Sequence, residues 1–113
     1  MITLAGRSFA GPYLAPLWSA PKAPGLYAVL VPGWRLLMFH PIHFGHAADL
    51  SAPDVLKKHA GYAEWLSLAG TEWNLYIAAC EMYHSSESER VAAHHELLAA
   101  RATTIKGPIH AQL

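Results

Sequence analysis

The side chains of this chain best suited to chemistry are its histidines. Residues 40–50 read HPIHFGHAADL, with His40, His43 and His46 three apart around Pro41 and Gly45. A second group, His94, His95 and Glu96, lies in the run SERVAAHHELLA. Imidazole binds metals and exchanges protons near neutral pH, so metal binding and acid–base work are the chemistries to weigh. The spacing of the first group opposes a single metal site. On a strand, residues three apart point to opposite faces, so His40 and His46 share one face and His43 takes the other. The three converge only if Pro41 bulges the strand. Structural zinc also wants about four ligands, and with Cys80 as the single cysteine no cysteine pair supplies the rest. Polar residues at a strand end are the plainer interpretation, and a metal module on His40, His46, His94, His95 and Glu96 is the sharper one.

The elements that position these residues come from pattern. Residues 1–24 carry Pro12, Pro16, Pro21 and Pro24, which remove donors and fix φ, so an appended N-terminal arm without long regular structure is expected. GLYAVLV (25–31), closed by Pro32-Gly33, is a strand and turn. Residues 34–47 resume as a second strand, and the short connection predicts an antiparallel hairpin. Pro41 predicts a bulge or an edge position. Over 51–70, Val55, His59, Tyr62, Leu66 and Ala69 recur at helical spacing, with Ser51 as cap and Gly70 as stop. EWNLYIAACEMY (72–83) is a third strand, apolar enough to be central. Residues 85–103 form a second helix, opened by a Ser86/Glu89 capping box. The tail breaks at Gly107-Pro108. The expectation is a small α/β domain over 25–113: a three-stranded antiparallel sheet flanked by helices, in the order β-β-α-β-α.

Composition bounds the function classes. The 113 residues are 53% hydrophobic and 14% charged, enough apolar material for one core and unlike a disordered chain. Lys and Arg together equal Asp and Glu, eight of each, so the basic excess of a protein that grips many phosphates is absent. Cys80, in the apolar run LYIAAC, is expected to be buried rather than reactive. No stretch reaches the roughly 18 apolar residues of a membrane helix. Gly6, Gly11, Pro12 and Pro16 interrupt the apolar N-terminus, and a cytoplasmic location is the expectation.

The element order and particular residues resemble the GIY-YIG nuclease superfamily. Gly25-Leu26-Tyr27 resembles the first motif, at the start of strand one. His43-Phe44-Gly45 is similar to the second, at the end of strand two, with His43 standing where the family has tyrosine. His59 matches the histidine of the helix that follows. Glu96 falls where the last helix of the family carries its metal-binding glutamate. The resemblance spans about residues 25–105.

This resemblance implies hydrolysis of a DNA phosphodiester, with Mg2+ or Mn2+ on the phosphate, Tyr27 and His43 around the nucleophilic water, and Glu96 on the metal. Such chemistry needs a base, a cation on the phosphate oxygens and an offset for developing charge. The helix arginine that steadies the phosphate has no counterpart. One turn before His59 stands Val55, and the nearby cation, Lys57, lacks the bidentate fork of arginine. Arg35, Arg90 or Arg101 would serve only if the fold carried one of them to the site. The implied function is therefore a nuclease relative with weakened or lost catalysis. The alternative is a non-catalytic module that binds a protein partner or a second copy, with Trp18, Trp34, Trp65 and Trp73 as candidate anchors, although core packing is the plainer interpretation of the same residues.

Overall fold

The computed structural model describes residues 1–33 and 39–106. Its centre is a five-stranded antiparallel sheet, not the expected three-stranded one, and the element order is β-β-β-β-α-β-α rather than β-β-α-β-α. The strands are β1 (Ile2–Leu4), β2 (Arg7–Leu14), β3 (Gly25–Pro32), β4 (Phe39–Ala47) and β5 (Tyr76–Glu81), in the order β1-β2-β5-β3-β4. Two helices, α1 (Tyr62–Ala69) and α2 (Glu87–Lys106), complete the architecture.

The two additional strands come from the residues expected to form an arm. The prolines there punctuate pairing rather than abolish it. β2 pairs with β5 at Ala10–Ala79 and again at Tyr13–Ile77, and Gly11 and Pro12 fall in the register shift between. Pro16 opens a short 3-10 turn (Ala15–Leu17) after β2 ends. Proline is tolerated at such breaks because no ladder donor is needed there. Phe9 of β2 is fully buried, which ties this segment to the core.

β3 explains the rest of the layering. Its residues alternate between two cores: Leu26, Ala28 and Leu30 belong to one, Tyr27 and Val29 to the other. The strand is buried on both faces, which is why its sequence is a continuous apolar run. Trp65 and Ala69 of α1, with Leu50, Val55 and Leu56, fill the core on the Tyr27 face. Ala93 and Leu97 of α2 fill the core on the Leu26 face, with Phe9 and Phe44. The helices therefore lie on opposite faces of the sheet. At Gly25 a Cβ would stand 2.3 Å from the Cys80 carbonyl oxygen, so glycine permits the close approach of β3 to β5.

The hairpin β3–β4 forms as expected, with β4 at the sheet edge and a register shift in which Ile42 is the extra residue between His43, opposite Val29, and Pro41, opposite Leu30. The first helix is shorter than the periodicity predicts. Ser51 bonds to the Asp49 carboxylate through its N–H (2.9 Å) and hydroxyl (2.6 Å), so it does not cap a helix. Pro53–Val55 form a 3-10 turn, and the helix proper begins only after Gly61. There the His59 Nδ1 accepts the Gly61 N–H at 2.9 Å, a side-chain alternative to helical pairing. A 3-10 turn at Glu72–Asn74 delays the last strand to Tyr76. The capping box of α2 is present: Glu89 N–H donates to Ser86 Oγ (3.2 Å), and Ser86 N–H donates to Glu89 Oε1 (2.7 Å). Trp34 and Arg35, the start of the expected second strand and the Gly107-Pro108 break lie outside the described residues.

Candidate functional site

Four rings meet on the α1 face of the sheet. Tyr27 projects from β3 and is only 4% exposed. Its neighbour on β4 is His43, with ring centroids 5.8 Å apart. His43 in turn meets His59, in the turn before α1, and Trp65 of α1, each at 4.8 Å. His59 stacks on Trp65 at 4.6 Å and 28°. The cluster thus joins the three ring-bearing positions that the family resemblance singles out. Gly45 is what lets Tyr27 lie down: the two are register partners, and the phenol ring covers the face of the glycine.

The chemistry open to this cluster follows from its protonation. Burial, reinforced by the nearby Asp54 carboxylate, pushes the Tyr27 phenol up to about 12. The phenol is therefore a neutral hydrogen-bond donor at physiological pH, not a base. Stabilisation from keeping it protonated is complete below its ordinary value of 10.0 and is lost as pH rises towards about 12. Because His59 Nδ1 accepts the Gly61 N–H, the ring hydrogen of the neutral imidazole sits on Nε2.

Lys57 and Lys58 are exposed, on the segment that leads into His59. Val55, at the register of the family arginine, is buried in the Tyr27 core. Neither guanidinium whose contacts are described serves this cluster. Arg7 lies 3.6 Å from Glu96. Arg90 is buried on α2 and donates to the Ser85 carbonyl (2.7 Å) and hydroxyl (3.0 Å). The side chain of Arg101 lies outside the described residues.

Glu96 is not brought to the cluster. It belongs to α2, on the opposite face of the sheet, and its carboxylate is 64% exposed beside Arg7 of β2. Such a pair contributes about 0–1 kcal/mol to stability. A site for Mg2+ or Mn2+ would join this carboxylate to further hard oxygen ligands. The described residues hold no group of three or more His, Cys, Asp or Glu side chains able to share an ion. The described residues, with Glu96 apart from the cluster, do not fit the metal that the nuclease resemblance implies.

The histidine triplet divides as a strand requires, with one change. His43 faces Tyr27 and α1, while His46, opposite Leu26, faces α2. The bulge moves His40 opposite Val31, whose side chain packs on the Tyr27 core, so His40 shares a face with His43 rather than with His46. His46 instead meets His94 of α2, Nδ1 to Nδ1 at 2.8 Å. Burial, with the His46 and His95 imidazoles beside it, holds His94 below its usual value. Burial likewise raises the half-buried Cys80 thiol, which keeps it protonated.

Sequence reasoning weighs Trp65 as a partner anchor against core packing; it lies in the core, as the plate on which His43 and His59 rest. The signal was its place four residues before Ala69, on the inner face of the helix. Asp54, in the 3-10 turn before α1, is the charge that adds to burial in raising the Tyr27 phenol. Trp18 packs against the Tyr27 core and Trp73 is exposed. No helix among the described residues is long and apolar enough to cross a membrane.

Comparison of the chain with protein-family models, with curated proteins and with solved structures gives no match.

Proposed function

We propose that this chain is a divergent relative of the GIY-YIG nucleases in which cleavage is weakened or lost, acting in the cytoplasm. The observation that carries the proposal is the split between its parts. Ring contact among Tyr27, His43 and His59 supports the kinship, whereas Glu96, across the sheet beside Arg7, counts against it and against a working nuclease. A phosphodiesterase needs its metal, base and charge-offsetting cation at one phosphate. Here a buried phenol, two imidazoles and an indole pack on one another, with no guanidinium of the described residues among them. The equal count of cations and anions also gives DNA little to hold.

A second interpretation, a module that binds a protein partner or another copy of itself, is favoured by exposed bulk. Tyr13 and Leu17 are 46% and 69% exposed and line one open cavity together with Trp18, a contiguous apolar surface of the kind that marks an interaction site.

Supercoiled plasmid incubated with the full chain and either Mg2+ or Mn2+ separates these from an active nuclease. The expected result is no nicking above a protein-free control, with Glu96→Ala and Tyr27→Phe indistinguishable from the parent. Metal-dependent nicking that both substitutions abolish would overturn the loss of catalysis. Self-association would show as a sedimentation coefficient that rises with concentration.

A further inference from the structure

On the sheet face opposite the Tyr27 cluster, one histidine from a strand and one from a helix come together. His46 leaves the edge strand β4, and His94 leaves α2 between the buried residues Ala93 and Leu97. Their Nδ1 atoms are 2.8 Å apart, the ring centroids 5.0 Å and the planes inclined at 64°. Two imidazole nitrogens facing at this range either share one proton or share one metal ion. The distance bears on the second possibility. Late first-row ions hold imidazole nitrogen at about 2.0–2.1 Å. Two such ligands at right angles in a tetragonal shell then stand about 2.9 Å apart, against about 3.3 Å in a tetrahedron. The separation of 2.8 Å is that of an N–H···N hydrogen bond and lies within about half an ångström of both values, so a small shift of the rings would admit an ion.

We propose that His46 and His94 form a two-imidazole site for a late first-row divalent ion, Cu2+ or Ni2+ in preference to Zn2+, with water completing its shell. The preference follows from ligand type: imidazole suits Cu2+ and Ni2+, and affinity for such sites peaks at Cu2+. The protein supplies only two ligands. His95 is exposed, its ring 6.4 Å from that of His94, and Glu96 is held at Arg7. Adjacent positions on a helix do not face the same way. Both imidazoles are half-buried, which leaves water a path to the ion. An ion bound there pins α2 to the edge strand. The site is independent of any relation to nucleases.

Calorimetric titration of the full chain with CuCl2, NiCl2 and ZnCl2 tests the site. One Cu2+ or Ni2+ per chain is expected, with Zn2+ weaker. His46→Gln and His94→Gln should each weaken Cu2+ binding at least about tenfold, whereas His95→Gln changes it less than about threefold. Electron paramagnetic resonance of the Cu2+-loaded parent chain needs no variant and is expected to show two coordinated imidazole nitrogens. No saturable binding, an affinity unchanged in both His46→Gln and His94→Gln, or a spectrum without two nitrogen ligands would overturn the site and leave the 2.8 Å contact as a hydrogen bond alone.

Discussion

Trp65→Ala is expected to lower the unfolding free energy by about 3–5 kcal/mol, the range for removing a large aromatic side chain from a core. Trp65 is 4% exposed and packs among Tyr27, Val55, Leu56 and Ala69. The loss has a second part that a purely apolar site would not show. His59 is stacked on the indole and His43 tilted against it, both within 4.8 Å, so the cavity frees two imidazoles as well. Urea denaturation at neutral pH gives the energy. The ring-proton resonances of His43 and His59 give the rest, because loss of the indole ring current must move both. A stability change below about 1 kcal/mol would place Trp65 outside a packed core.

Gly45→Ala is the second large effect, for the opposite reason. A Cβ at residue 45 would lie 2.4 Å from Tyr27 Cζ and 2.5 Å from its hydroxyl oxygen. The phenol cannot step aside cheaply, because it is buried between β4 and the α1 core. Overpacking of this kind costs about 1–3 kcal/mol. The contact also predicts a rescue. With Tyr27→Leu already in place the ring is gone, and Gly45→Ala should then cost less than about 0.5 kcal/mol. Tyr27→Phe keeps Cζ and should not rescue. Equal costs of Gly45→Ala in the parent and Tyr27→Leu backgrounds, measured by urea denaturation, would show that the ring does not cover the glycine.

Much of what surrounds these residues is legible in the chain itself. The uninterrupted run of β3 announces a strand buried on two faces, Pro41 announces the irregularity of β4, and Ser86 with Glu89 announces the start of α2. Each signal is local, and each is answered by local chemistry. The failures are equally physical. Proline content hid β2, because whether Pro12 breaks a strand depends on whether its partner needs a donor there, and the partner is β5, more than sixty residues away. Helical spacing over 51–70 was real only after Gly61. Before it, Asp49 engages Ser51 and His59 engages the Gly61 N–H, so side chains take the bonds that a helix would use. Glu96 fits a motif by position on a helix, but motif position says nothing about which face of the sheet that helix covers. Ala93 and Leu97 decide that, by burying α2 against Leu26, Ala28 and Leu30. The meeting of His46 and His94 likewise needed the three-dimensional placement of α2 over β4.

The division of the sheet into a Tyr27 face and a Glu96 face is the claim on which the loss of catalysis depends, and proton–proton contacts in a nuclear Overhauser spectrum of isotopically labelled protein test it most directly. Cross-peaks are expected from the Trp65 indole to the His43 and His59 rings, and from the Leu97 methyl groups to Leu26, Leu30 and Phe44. Cross-peaks that instead join Leu97 or Glu96 to Tyr27, His43 or Trp65 would put the carboxylate and the phenol on one side and contradict it.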